Sequence, residues 1–224
     1  INEDIKAGKY KRAYLLYGEE DYLKKQYKDK LKEAITLGDT MNYGYFEGKG
    51  IDVNSLIEMS ETMPFFADYR LVVVENSGFF KGANERMAEY VEKIPESTVM
   101  VFVESEVDKR GKLYKRVKEK GHECEMTVQT PAVLEKWILG ILGREGKRIT
   151  KEAIDYFLSI SGSDMTNIYG ELEKLICYCM DKEAIDVADI KEITTEQISA
   201  KIFDMIDALG YKNQKRTLDI YYDL

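Results

Sequence analysis

Two runs in this chain, Leu71-Val72-Val73-Val74 and Val99-Met100-Val101-Phe102-Val103, are apolar at every position rather than at every second one. Successive side chains of a strand point to opposite faces, so a run without alternation belongs to a strand covered on both sides. Such strands occur in parallel sheets whose crossovers are helices, and this narrows the fold to an α/β layer architecture. The remainder of residues 1–128 fits that frame. Ala13-Tyr14-Leu15-Leu16-Tyr17 is a short β-prone run, followed by Gly18 and a charged, helix-favouring stretch from Glu19 to Ile35. Tyr43-Gly44-Tyr45-Phe46 reads as a second strand and Val53 to Met59 as a short helix. A helix near Asn84 to Ile94 separates the two apolar runs, and a last strand is expected near His122 to Thr127. The expectation is a doubly wound, mostly parallel α/β domain.

At Thr130 the pattern changes to helices alone. Thr130 stands as an N-cap with Pro131 at the first helical position, and Val133, Trp137, Ile138, Ile141 and Leu142 follow at helical spacing until Gly143 and Gly146 close the segment. Thr150 caps the next helix, with Ile154, Phe157 and Leu158 as its apolar stripe. After Gly162-Ser163-Asp164 comes a long amphipathic pattern of Met165, Ile168, Leu172, Leu175, Ile176 and Cys179. This reads as a small all-helical domain over 129–193. Further helices, from Ile198 to Leu209 and from Asn213 onward, read as the start of a third domain over 194–224.

The 224 residues are 44% hydrophobic and 33% charged, enough for real cores under a polar surface. No apolar stretch approaches the ~18–20 residues of a membrane span, and Ile1-Asn2-Glu3-Asp4 has no secretory pattern. A start at Ile1 is expected to lack one or more initial residues. Three cysteines, Cys124, Cys177 and Cys179, have no disulfide-framework spacing, so a reducing cytoplasmic location is expected. His122-x-Cys124 and Cys177-x-Cys179 make a poor zinc set, because an i,i+2 pair on a helix faces two directions. His122 is the only histidine and pairs with no nucleophile at a recognisable spacing. Neither metal nor hydrolase chemistry is expected.

With 33 basic against 41 acidic residues the net charge is −8, so the whole surface is no nucleic-acid platform. The exception is the stretch from Lys109 to Lys120, in which Lys109, Arg110, Lys112, Lys115, Arg116, Lys118 and Lys120 accompany a narrow Leu113/Val117 stripe. A run of this kind is a solvated helix face, or a contact with DNA or an acidic partner.

An α/β domain with a helical lid would bind nucleotide through G-x-x-x-x-G-K-[ST] after its first strand, where backbone amides and lysine hold phosphate and the hydroxyl holds magnesium. Here that loop reads Tyr17-Gly18-Glu19-Glu20-Asp21-Tyr22-Leu23. Three carboxylates stand where phosphate would sit, and Coulomb repulsion disfavours ATP. Glu75 and Glu104 end two strands where a magnesium-organising acid would be found, but each stands alone as a strand-end carboxylate. No cofactor is expected.

Met63-Pro64-Phe65-Phe66-Ala67-Asp68-Tyr69-Arg70 precedes the first apolar run as a loop or short helix. Neighbours in sequence do not share a face on a helix or strand, so at least one of Phe65 and Phe66 is expected to point away from the core. The pair is either core, as an apolar pair ahead of a strand usually is, or a displayed contact for a partner.

Taken in order, these fragments resemble the delta subunit of bacterial DNA polymerase III, the clamp-opening member of the sliding-clamp loader. The resemblance is carried by Tyr14-Leu15-Leu16-Tyr17-Gly18-Glu19-Glu20, Met63-Pro64-Phe65-Phe66-Ala67, Asp108-Lys109-Arg110-Gly111-Lys112-Leu113-Tyr114, Asp164-Met165-Thr166-Asn167-Ile168, Glu171-Leu172-Glu173-Lys174-Leu175 and Ile202-Phe203-Asp204-Met205-Ile206-Asp207-Ala208-Leu209. It implies an AAA+-like domain (1–128) without a working ATP site, a helical lid (129–193) and the beginning of a truncated helical collar (194–224) through which loader subunits assemble. It also implies that Phe65 and Phe66 enter a pocket on the ring-shaped sliding clamp (beta), with Met63 and Pro64 beside them. DNA is then met only within the assembled loader. A divergent AAA-type ATPase and a DNA-binding module built on residues 109–120 are the alternatives.

Overall fold

The computed structural model describes residues 1–194, 205–206, 208–210 and 213–223. The chain divides into two compact units, Ile1–Thr127 and Val128–Leu224.

In the first unit a short helix α1 (Asn2–Ala7), not foreseen from the sequence, precedes five strands: β1 (Ala13–Tyr17), β2 (Tyr43–Glu47), β3 (Arg70–Glu75), β4 (Thr98–Glu104) and β5 (His122–Glu125). All are parallel, in the order β2-β3-β4-β1-β5. The crossovers are α2 (Asp21–Thr36), α3 (Val53–Glu61), α4 (Glu85–Tyr90) and α5 (Lys112–Lys120). The continuous apolar runs are the central strands β3 and β4. Leu71 and Val73 pack with Tyr14, Leu16, Val99, Val101, Leu31 and Ile35 on the α2 face. Val72 and Val74 pack with Leu15, Met100, Phe102, Leu56, Met87 and Val117 on the face of α3, α4 and α5. Alternation is therefore present, but both faces of the pleat are core. The result is the expected AAA+-like, doubly wound α/β sandwich.

The second unit contains α6 (Pro131–Arg144), α7 (Lys151–Ser161), α8 (Met165–Tyr178), α9 (Val187–Ile193) and α10 (Gln214–Asp223). It is not helices alone: β6 (Arg148–Ile149) and β7 (Ala184–Ile185) form a two-stranded parallel ribbon. Two residues carry no periodicity, so nothing in the sequence announced the ribbon. Beside it the Lys147 ammonium donates to the carbonyls of Cys179, Met180 and Lys182 at 2.7, 2.8 and 2.6 Å, which satisfies the backbone at the end of α8. The stripe of α6 runs through Leu134, Ile138, Ile141 and Leu142, while Val133 is exposed. Thr130 occupies the N-cap position without a side-chain cap hydrogen bond, whereas Thr150 accepts from the Ala153 amide at 3.2 Å. Cys177 is exposed and Cys179 buried, as their i,i+2 spacing requires. The expected helix from Ile198 to Leu209 falls largely outside the described residues.

Candidate functional site

The loop between α3 and β3, residues 62–69, leaves the N-terminal edge of the sheet and turns its apolar side chains outward. Phe66 is 94% exposed, Met63 81% and Phe65 54%, while Pro64 is half-buried. The Phe65 and Phe66 rings meet edge to face, with centroids 4.4 Å apart. Phe66 has φ of +50°, in the left-handed region that a side chain bearing a Cβ enters at a cost of about 1–2 kcal/mol. A lone exposed apolar residue is ordinary, but three in one loop with the backbone turned against its preference are not.

The loop backbone is tied down from beneath. Asn42, only 1% exposed just before β2, donates from Nδ2 to the Phe65 carbonyl at 2.8 Å and accepts at Oδ1 from the Phe65 amide at 2.6 Å. Arg70, 5% exposed at the first position of β3, donates to the carbonyls of Thr62 at 2.8 Å and Met63 at 3.2 Å. The Phe65 amide and carbonyl and the Thr62 and Met63 carbonyls are thus bonded to buried side chains, while Met63, Phe65 and Phe66 keep much of their apolar surface in solvent.

Two further residues extend this surface, and the sequence reading missed both. Leu37 and Met41, exposed in the turn that follows α2, line a groove together with Tyr10, Phe65, Phe66 and Tyr69. Leu37 also has positive φ, +51°. The signal available was an apolar residue ahead of Gly38, past the end of an amphipathic helix, which reads equally well as a helix cap.

The opposite, C-terminal edge of the sheet holds the cleft between β1, β4 and β5, where a doubly wound domain carries nucleotide. Here the loop after β1 closes on itself. The Glu20 amide donates to the Met126 carbonyl at 3.0 Å, and a Cβ at Gly18 would stand 2.4 Å from that same oxygen. Lys24, buried on the first turns of α2, donates to the Gly18 carbonyl at 2.6 Å and pairs with Asp21 at 2.8 Å. Lys24 is therefore engaged by the loop itself, and Lys109, which lines the same cleft, pairs with Glu125 at 2.7 Å. The two strand-end carboxylates have structural partners. Glu75 accepts from Lys28 at 2.8 Å and from the Tyr45 hydroxyl at 3.1 Å. Glu104 accepts from the Ser77 hydroxyl and the Gly78 amide, and burial pushes its carboxyl above the usual carboxylate range.

A family model for the delta subunit of DNA polymerase III matches residues 14–127, half of the chain and all five strands. The chain belongs to the DNA polymerase III delta-subunit family. It is 24% identical to the DNA polymerase III subunit delta of Bacillus subtilis over 235 aligned positions, covering 99% of this chain and 68% of that protein. The solved Bacillus subtilis DNA clamp loader delta protein superposes with a TM-score of 0.71 at 24% identity, over 99% of this chain and 69% of that one. The Thermotoga maritima RuvB Holliday junction branch migration motor shares the fold with a TM-score of 0.55 at 10% identity, over 86% of this chain and 64% of that one. The chain spans about two thirds of the length of the curated delta subunits it matches.

The span that places the chain in the delta family includes the whole 62–69 loop and also the basic run. Leu113, Tyr114 and Val117 bury one face of α5, and acids meet the other. Lys109 pairs with Glu125 at 2.7 Å, Arg110 with Asp108 at 3.0 Å, and Lys112 with Glu89 at 3.8 Å. Arg116 pairs with Glu92 at 2.7 Å and Glu119 at 3.1 Å, while Lys115 is exposed. Most of the basic side chains of this run are thus in exposed ion pairs with carboxylates. Among the described residues no group of three or more His, Cys, Asp or Glu side chains converges as a metal site, and no helix is long and apolar enough to cross a membrane.

Proposed function

We propose that this delta-family chain binds the ring-shaped sliding clamp of the replicative polymerase through Phe65 and Phe66, with Met63 and Pro64 shaping the anchor and Leu37 and Met41 at its flank. The observation that carries this reading is the exposure of Phe66 on a loop whose Phe65 backbone is held from beneath by Asn42. Two phenylalanines entering a pocket bury about 300–500 Å², worth roughly 8–12 kcal/mol as an upper bound. Phe65 is already half covered, so the gain lies below that range, and association and ordering costs reduce it further. What is left suits a compact hot spot. A protein that grips a closed ring beside one interface favours the open ring by differential affinity alone, without hydrolysing anything.

On this reading the chain hydrolyses no ATP itself. Support comes from the Gly18 loop, with its carboxylates at the phosphate position and Lys24 turned back onto the chain. Timing then falls to ATP in neighbouring loader subunits, met through a helical collar that begins at residues 194–224. DNA contact through residues 109–120 is disfavoured by the ion pairs that cover that run.

The test is a titration of a purified bacterial sliding clamp with this chain and with its Phe65→Ala/Phe66→Ala variant, with circular dichroism of both. Binding by the parent alone, with both proteins folded, is the expected outcome. Equal binding by both would remove the anchor, and a parent that does not bind would overturn the reading. Titration with Mg-ATP is expected to give no binding.

A further inference from the structure

Tyr69, at the end of the loop, packs on the core and edge to face with Tyr10, but Met63, Phe65 and Phe66 are left exposed, so core packing does not hold the displayed residues themselves. Something else must set the loop's shape. Asn42 has the required connections. Its carboxamide has two donor hydrogens, and both are used, one on the Phe65 carbonyl at 2.8 Å and one on Asp39 Oδ2 at 2.8 Å. Its oxygen takes the Phe65 amide at 2.6 Å, and its own backbone carbonyl takes the amide of Leu71 at 2.9 Å. A single buried residue thus joins the turn after α2 and the displayed loop through its side chain, and the first residues of β3 through its backbone carbonyl. The bonds to Phe65 run as a pair, as a neighbouring strand would make them, so they set the direction of the backbone as well as its distance. The next residue, Phe66, is the one in the left-handed conformation with its ring in solvent.

We infer that Asn42 is a positioning residue: its paired bonds to the Phe65 backbone hold the 62–69 loop in the one geometry that presents Phe66 to a partner pocket. The partner in this statement rests on the clamp-binding reading, while the effect on the loop rests on geometry alone. Arg70 assists from the other side through the Thr62 and Met63 carbonyls. A loop prepared in its bound shape avoids an ordering cost at the moment of binding. Without Asn42 the competent shape becomes one of several, and apparent affinity falls by the fraction of time it is occupied.

That mechanism predicts a kinetic pattern which a lost contact does not produce. Asn42→Ala is expected to weaken clamp binding by about tenfold, almost all of it as slower association, because the bound loop is held by the clamp itself. Phe66→Ala, which removes a contact, is expected to act on dissociation. An Asn42→Ala protein that binds like the parent, or one whose loss lies wholly in faster dissociation, would overturn the inference. Amide hydrogen exchange on the unmodified chain supplies an arm free of both variant and clamp. The Phe65 amide is expected to exchange well below the rate of an open loop, and full-rate exchange refutes the holding role even if Asn42→Ala does not fold. Should the parent itself fail to bind the clamp, the functional reading falls while the exchange result still decides the role of Asn42 in the loop.

Discussion

The two edges of the parallel sheet use the same kind of material in opposite ways. A strand of five or six residues, roughly 17–20 Å, separates them. At the C-terminal edge the loop after β1 spends its polar groups on the chain: Glu20 on Met126, Lys24 on Gly18. The cleft that a nucleotide would need is still open, but the groups that would grip phosphate are either missing or engaged. At the N-terminal edge the loop before β3 also has an engaged backbone, yet its apolar side chains face water. Rigidity is common to both; the difference is which groups are left over. Leftover groups determine what a surface can bind, and here they are aromatic at one edge and mostly acidic at the other.

The largest expected effect separates the edges directly. Phe66→Ala should cost about 2–4 kcal/mol of clamp affinity and change denaturant unfolding by no more than about 0.5 kcal/mol, because the ring is almost wholly exposed. Gly18→Ala should do the reverse. Its Cβ meets the Met126 carbonyl at 2.4 Å, so unfolding is expected to weaken by about 2–3 kcal/mol, with clamp affinity of the folded protein unchanged. Loss of affinity in a folded Gly18→Ala protein would mean that the edges are coupled.

Smaller changes sharpen the boundary of each region. Leu37→Ala with Met41→Ala is expected to weaken clamp binding by about 1 kcal/mol, measured by the same titration, if the groove beside Phe66 is part of the docking surface. At the other edge, Glu104 tests the cost of a buried carboxylate. Its folded pKa is raised, so the folded state holds the proton more tightly than the unfolded state does. The associated stability is complete below the unfolded value of about 4.3 and is lost as pH rises through the folded value. Glu104→Gln removes that slope, so unfolding measured against pH should shift in favour of the variant as pH climbs from about 4.3 toward neutrality. Least affected should be Lys115→Ala with Arg116→Ala, within about 1 kcal/mol in stability and without effect on clamp binding. A large binding loss there would relocate the partner surface to α5.

Much of the α/β unit was legible because its signals are local. A run without polar alternation demands cover on both faces, and β3 and β4 have it. That the loop after β1 lacks the G-x-x-x-x-G-K-[ST] spacing is likewise read from its residues alone. The shorter elements were not legible. Helix α1 and the ribbon of β6 and β7 are too brief for periodicity to show, and the second unit was accordingly read as helices alone. In α6 the helical spacing includes Val133, while the helix buries Leu134 one position on, because the phase of a stripe is set by what it packs against.

The candidate surface divides along the same line. Phe65-Phe66 and Phe79-Phe80 are identical dipeptides on either side of β3. Phe79 and Phe80 are buried, with Phe80 edge to face on Phe102 at 5.2 Å, while Phe66 stands in solvent. Periodicity and residue chemistry determined the sheet, its helices and the absent phosphate motif, since these depend on neighbours in the chain. Whether a given phenylalanine is core or contact depends on neighbours in space: Asn42, 23 residues before Phe65, turns one pair outward, and the packed face of the sheet takes in the other.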